Sequence, residues 1–162
     1  MSEDLVLGYV RTLKPFEMAL RRWLGTIIDF IVLAAVVLGG IFLAASVPEN
    51  NPFIRTGARA LLLLVLLLAH YIVGEGVWGR TLGKLVTGTV VINRAGDRPG
   101  MGRAAVRTLL RLVEVNPVLV GGLPAGIAVL ASSGRQRLGD MAAGTYVVPI
   151  DFKNHVQTET VF

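Results

Sequence analysis

The sequence contains no cysteine, which excludes disulfide bonds, thiolate metal ligands and cysteine nucleophiles. It also lacks the patterns HExxH and GxSxG, and the segment GRTLGKLVTG does not have the glycine spacing of a phosphate-binding loop. No histidines and acids cluster with the spacing of a metal site. We therefore expect no enzymatic activity, no metal and no cofactor.

Charged residues are scarce, at 17% of the chain, whereas hydrophobic residues make up 53%. Three apolar runs account for this imbalance, at residues 23–47, 60–73 and 115–132. A bilayer core of roughly 30 Å requires about 20 mostly apolar residues in a helix. The first run meets this length, the second meets it if it extends to Trp78, and the third is marginal. The sequence predicts an all-α polytopic membrane protein with about three transmembrane helices.

Basic residues are distributed unevenly along the chain, whose net charge is +5. Residues 79–114 carry seven arginines and lysines, whereas residues 47–58 carry only Arg55. The positive-inside rule then places the N-terminus and residues 79–114 in the cytoplasm, with residues 47–58 outside. We expect this charge to contact anionic phospholipid headgroups in the bilayer and not nucleic acid.

The segment around residue 107 has helical periodicity with two distinct faces. The polar face consists of Arg103, Arg107, Arg111 and Glu114, and the opposite face of Val106, Leu109, Leu110 and Val113. This pattern favours an interfacial amphipathic helix whose three arginines contact lipid headgroups. The alternative is that the segment forms the first half of one long membrane span.

The third apolar run contains two prolines and three glycines, which disfavour an uninterrupted helix. Prolines and glycines are more frequent in membrane helices than in soluble ones, so residues 115–132 are interpreted first as a kinked, ordinary span. The alternative is a broken or re-entrant segment that lines a polar cavity. The sequence leaves both open.

Two segments resemble each other: LGKLVTGTVVI at residues 82–92 and LGDMAAGTYVV at 138–148. Lys84 in the first aligns with Asp140 in the second. Each segment ends in a β-branched run, so residues 89–93 and 145–150 are predicted to pair as short strands if both lie on one face of the membrane. A single crossing by the third run would instead place them on opposite faces.

Asp29 is the only charge within the first apolar run. Arg22 lies seven residues earlier, which is about two helical turns and about 10.5 Å along the same helix face. The two side chains are therefore too far apart for a direct salt bridge, and each needs another partner. We predict that Arg22 and Asp140 approach within salt-bridge distance, with Lys84 as a competing cation.

A carboxylate within a membrane helix costs a few kcal/mol on insertion scales, so Asp29 should face protein or water. It is either a proton or cation site or a structural tie between helices. His70 and Glu75 in the second run are secondary candidates. His70 could titrate near neutrality or serve in packing, and Glu75 could be solvated or paired with an arginine.

Together these residues resemble the RDD family of small prokaryotic membrane proteins, named for one arginine and two aspartates. Arg22 and the pair Ile28-Asp29 match its first motif, and GRTLGKLVTG approximates its middle motif. The closing motif is matched by Arg137, Leu138, Asp140, Ala143, Gly144, Thr145, Val147 and Val148. The resemblance covers roughly residues 16–150. The aromatic pair usual before the arginine is replaced by Ala19-Leu20, and Gly25 stands where alanine is usual.

The resemblance implies a multi-pass protein of the prokaryotic cytoplasmic (inner) membrane. It also implies transport of an unidentified ligand, with cation/proton antiport proposed for some members, or a role as an assembly partner. We expect residues 1–150 to form one domain and residues 151–162 a polar tail. The first hypothesis is cation/proton exchange or small-solute transport by a homo-oligomer. The second is a non-catalytic scaffold or accessory subunit of a larger membrane complex.

Overall fold

A computed structural model describes residues 3–45, 52–114 and 123–152. It contains the helices α1 (Glu3–Thr12), α2 (Pro15–Ala45), α3 (Pro52–Trp78), α4 (Leu82–Val86), α5 (Gly100–Glu114), α6 (Leu123–Ala131) and α7 (Leu138–Ala143). The strands are β1 (Thr89–Asn93) and β2 (Thr145–Pro149).

Two described helical segments are long and apolar enough to cross a membrane: Pro15–Phe42 in α2 and Arg59–Trp78 in α3. Only 17% and 22% of their most apolar windows are buried inside the protein, as expected of helices that face lipid and not of core helices in a soluble domain. The predicted third span falls partly on residues 115–122, which lie outside the described residues. Its described remainder forms α6, whose nine residues are too few to span a bilayer alone.

The predicted strand pairing is confirmed. β1 and β2 are antiparallel, and their register places Thr89 opposite Pro149 and Asn93 opposite Thr145. Gly88 and Gly144 precede the strands with φ of 65° and 59°, a left-handed conformation in which side chains are disfavoured. Because the strands are hydrogen-bonded neighbours, both similar segments lie on one side of the membrane.

A small apolar core lies on one face of the two-stranded sheet. Val6 and Val10 of α1, a helix not predicted from the sequence, pack against it. Phe152 joins this cluster, and its ring lies edge-on to Tyr9 with the centroids 5.0 Å apart. Phe152 was predicted to lie in the polar tail, and residues 153–162 of that tail lie outside the described residues. The core anchors the sheet to the N-terminal helix, which leads directly into α2.

The amphipathic helix predicted around residue 107 is present as α5, but its orientation differs from the prediction. Arg107 and Arg111 face the protein interior, with exposed fractions of 0% and 7%, whereas Val106 and Leu109 are 40% and 59% exposed. Helical periodicity identifies two faces but does not indicate which one is buried. Here the polar face is buried because carboxylates from α3 and α7 lie opposite the arginines.

Candidate functional site

The Asp29 carboxylate joins α2 to the start of α4. Its Oδ2 accepts a hydrogen bond from Thr81 Oγ1 at 2.6 Å, and its Oδ1 accepts one from the Gly83 backbone N–H at 2.7 Å. The residue is 1% exposed. The first backbone N–H groups of a helix have no partner within it, so the carboxylate satisfies one of them.

Two glycines allow α2 and α4 to approach this closely. A Cβ added to Gly83 would overlap the carbonyl of Gly25, and a Cβ on Gly25 would lie 3.3 Å from the Gly83 carbonyl oxygen. Larger residues at either position would separate the helices. The Asp29 contacts with Thr81 and Gly83 therefore depend on this pair of glycines.

His70 is the third partner of Asp29, and its side chain is more exposed than that of Asp29. Its Nε2 lies 3.3 Å from Asp29 Oδ1, and the two side chains are 17% and 2% exposed. The ring also lines a groove of about 520 Å³ between the last turns of α3 and α4. His70 thus connects the buried carboxylate with the protein surface.

Asp140 in α7 forms a second buried centre. Its carboxylate accepts hydrogen bonds from Arg22, Arg107 and Arg137 Nε, the last at 3.2 Å. The predicted proximity of Arg22 and Asp140 is confirmed. Arg22 Nη1 also donates to the carbonyl of Arg135 at 2.6 Å, and Arg135 has a left-handed φ of 51°. Arg22 and Asp29 share one helix but have separate partners, as their spacing predicted.

Glu75 forms a third centre near the C-terminal end of α3. It accepts hydrogen bonds from Lys84 Nζ at 2.7 Å, Arg107 Nε at 2.7 Å and Arg111 Nη2 at 2.6 Å. Its exposed fraction is 0%, so of the two alternatives from the sequence the structure supports pairing with arginine. Lys84, predicted as a competitor for Asp140 or Asp29, instead pairs with Glu75.

Arg107 links the second and third centres. Its Nε donates to Glu75 and its Nη1 to both Asp140 and Thr145 Oγ1, the last at 2.7 Å. Through it and Arg22, one network of ion pairs connects α2, α3, α5 and α7. Because each carboxylate contacts at least two cations, the network holds these helices in a fixed arrangement.

Burial and charge act in opposite directions on the pKa values of this network. Burial raises the pKa of Asp140, but Arg107, Arg22 and Arg137 outweigh this effect and hold it well below its usual range. Burial lowers the pKa of Lys84 to about 8, although Glu75 raises it, and burial lowers that of Arg137 to about 10. Asp140 is therefore ionised at neutral pH, whereas Lys84 is close to its titration range.

The prediction that Arg103, Arg107 and Arg111 contact lipid headgroups is corrected for two of the three. Arg107 and Arg111 are buried in ion pairs with Glu75 and Asp140, and Arg111 also stacks on Tyr71, 3.8 Å from the ring centroid. Arg103 is exposed, and its Nη1 donates to the Gly144 carbonyl at 3.1 Å. Of these arginines only Arg103 is placed to contact a headgroup.

In both similar segments, a glycine backbone N–H near the start of the short helix donates a hydrogen bond to a carboxylate. In the first, the Gly83 N–H donates to Asp29, and in the second the equivalent Gly139 N–H donates to Glu114 Oε1 at 2.8 Å. Each short helix thus begins against a carboxylate from another helix. The sequence similarity correctly identified the glycines, but it did not identify Glu114 as the second carboxylate.

Sequence reasoning missed four contributors to these centres: Thr81, Glu114, Arg137 and the linking role of Arg107. Thr81 and Arg137 occupy equivalent positions, immediately before the repeated Leu-Gly, and both are helix N-caps. That shared position in the two similar segments could have identified Thr81 and Arg137 as functional residues from the sequence. The sequence around Arg107 did not indicate its linking role, because its partners Glu75 and Asp140 are distant in sequence.

No group of three or more His, Cys, Asp or Glu side chains that could hold a metal ion occurs among the described residues. The arrangement offers two kinds of chemistry. Around Asp140 and Glu75 the charge of each carboxylate is balanced by the charges of neighbouring arginines and lysine, which suits a structural role. The contact between Asp29 and His70 places a carboxylate against an imidazole, which can accept and release a proton, beside an open groove.

Two helices that are long and apolar enough to span a membrane are joined by buried ion pairs to α5 and α7, as in a small helical membrane protein. The sequence matches the RDD family over residues 18–144, so the chain belongs to this family. No curated protein and no solved structure matches it.

Proposed function

We propose that this RDD-family protein exchanges a cation for a proton, or moves a small solute, across a prokaryotic cytoplasmic membrane with its N-terminus in the cytoplasm. The observation that carries the proposal is the contact between Asp29 and His70. A carboxylate in a spanning helix pairs there with an imidazole, a group that can accept and release a proton.

The chemistry rests on charge balance at Asp29. When His70 is protonated, its positive charge compensates the carboxylate and the site is neutral. When His70 loses its proton, the carboxylate is left with an uncompensated charge, which favours binding of a monovalent cation. Proton and cation would then occupy the site alternately, because only one positive charge is needed there.

The transporter is proposed to be a homo-oligomer. The two spanning helices among the described residues are too few to surround a path for a solute, so we propose that other copies of the chain supply further helices. Large apolar side chains on α2, including Phe30, Ile31 and Leu38, are 45–66% exposed and available for helix–helix contact in the bilayer.

Exchange is tested by reconstituting the purified protein into liposomes with a pH gradient and adding Na⁺, K⁺ or Li⁺. We expect cation-dependent dissipation of the gradient that is lost in both Asp29→Asn and His70→Gln. Glu17→Gln is the matched control, since Glu17 is a half-exposed carboxylate on the same helix. Absence of flux with the folded native protein would refute exchange.

The second candidate is a non-catalytic scaffold or accessory subunit of a membrane complex. It is favoured by the compensated charges around Arg107, which hold the helices together and leave no free carboxylate at Glu75 or Asp140. Stable co-purification of another membrane protein, together with absence of flux, would support it. Both candidates are proposed to be non-enzymatic.

A further inference from the structure

The groove beside His70 has the size and lining of a ligand site. Its volume of about 520 Å³ lies within the range of roughly 300–1,000 Å³ typical of such sites. Val73, Leu82 and Leu85 contribute apolar walls, and the two leucines are 50% and 52% exposed. The groove runs beside the last turns of α3, where the candidate membrane span ends at Trp78.

Arg80 supplies a positive charge at the edge of this groove. Its guanidinium makes no hydrogen bond or ion pair with any residue that the structure describes. Other arginines of the same connection are engaged: Arg94 with Glu3, Arg98 with the Val77 carbonyl, and Arg103 with the Gly144 carbonyl. Arg80 is therefore available to an anion from outside the chain.

Trp78 marks the depth of the groove in the bilayer. It also lines the groove, and it is 56% exposed. Tryptophan side chains are enriched at the membrane–water boundary, where the indole ring lies among the headgroups. Trp78 and Arg80 together place the edge of the groove at the depth of lipid phosphates, with the apolar walls extending from it.

We infer that an anionic phospholipid occupies this groove, with its phosphate on Arg80 and one acyl chain along Val73, Leu82 and Leu85. A guanidinium binds phosphate through paired N–H donors, and the apolar walls match a hydrocarbon chain. The lipid also covers the His70 ring on the groove side. This site goes beyond the proposed exchange function and exists whether or not the protein transports cations.

The test is native mass spectrometry of the full chain, purified in detergent with phosphatidylglycerol or with phosphatidylcholine of the same chain length. We expect one retained phosphatidylglycerol per chain. Arg80→Gln should reduce its retention about fivefold, the effect of removing one basic residue near an anionic lipid. Leu85→Ser should reduce retention of the same lipid by shortening the apolar wall.

Two variants serve as matched controls, Arg11→Gln on α1 and Leu109→Ser on the outward face of α5, since both residues are exposed and neither lines the groove. Neither should alter lipid retention. The His70 ring resonances should shift when phosphatidylglycerol is added to delipidated protein.

Four results would overturn the inference. Equal retention of the two lipids would remove the role of Arg80, as would equal losses in Arg80→Gln and Arg11→Gln. Displacement of the lipid by inorganic phosphate would show a site for a free anion and not for a phospholipid. Disulfide cross-linking between copies of the Leu85→Cys variant, unchanged when phosphatidylglycerol is added, would show that a second copy occupies the groove.

Discussion

Arg107 is buried between the carboxylates of Glu75 and Asp140, and this placement determines how the ion-pair network responds to substitution. Buried ion pairs add little net stability compared with apolar residues of the same shape, because each charge loses its hydration. Removal of one partner is different, since the remaining charge stays buried without compensation. The network should therefore tolerate loss of a single charge poorly.

Asp140→Asn is expected to destabilise the protein by about 3–5 kcal/mol, because it leaves Arg22, Arg107 and Arg137 without their shared carboxylate. The free energy of unfolding is measured by denaturant titration in detergent micelles. Glu17→Gln, which removes an exposed partner of Arg21, should cost no more than about 0.5 kcal/mol. Similar losses in the two variants would contradict the assigned role of Asp140.

Lys84 is expected to titrate near pH 8 in the folded protein, because burial lowers its pKa from the usual 10.5. The unfolded state then binds more protons than the folded state between about pH 8 and 10.5. The contribution of this group to stability therefore increases with pH in that window. The pKa is measured from the Lys84 Cε resonance by NMR, with the variant Lys84→Arg to assign it. Titration of Lys84 near 10.5 would refute the prediction.

The short helices and strands differ in how far the sequence predicts them. The similarity between residues 82–92 and 138–148 correctly predicted the pairing of β1 with β2, because both strands are β-branched and both follow a glycine turn. The amphipathic pattern of α5 was equally clear, but the prediction that its arginine face contacts lipid headgroups was wrong for Arg107 and Arg111. Whether its arginines face lipid or protein depends on Glu75 and Asp140, and periodicity within α5 carries no information about them.

The Asp29 centre shows the same limit. The cost of a charge in the membrane predicted that Asp29 would face protein or water and find a partner, and the structure shows protein partners. Their identity was not predicted, because one is the backbone N–H of Gly83, and every residue except proline offers such a group. His70 was identified only as a candidate, since its distance from Asp29 depends on how α2 and α3 pack.

Gly83→Ala is expected to separate α2 from α4 and to destabilise the protein by about 1–3 kcal/mol, because the added methyl group would overlap the Gly25 carbonyl. Gly102→Ala is the matched control: Gly102 lies in α5 with nothing within 4 Å of an added Cβ. That substitution should stabilise the helix by up to about 1 kcal/mol. Both effects are measured by thermal unfolding, and destabilisation of equal size would refute the close α2–α4 contact.

The β1–β2 pairing constrains the topology of the whole molecule. The chain leaves β1 at Asn93 and returns at Thr145 beside it, so the intervening residues begin and end on one side of the membrane. Helix α1 packs against the same sheet and leads into α2, which places the start of α2 on that side too. One crossing by residues 115–132 would not satisfy this arrangement.

This topology predicts which positions an impermeant thiol reagent reaches from each side of the membrane. The natural chain has no cysteine, so any labelling of a single-cysteine variant comes from the introduced residue. Arg94→Cys and Asp151→Cys replace exposed residues beside β1 and β2, and both should be labelled from the same side as Arg11→Cys. Gly57→Cys lies about 31 Å from Trp78 along α3, at 1.5 Å per residue, and should be labelled only from the opposite side. Labelling of Arg94→Cys and Asp151→Cys from opposite sides would refute the paired sheet in the membrane-embedded protein.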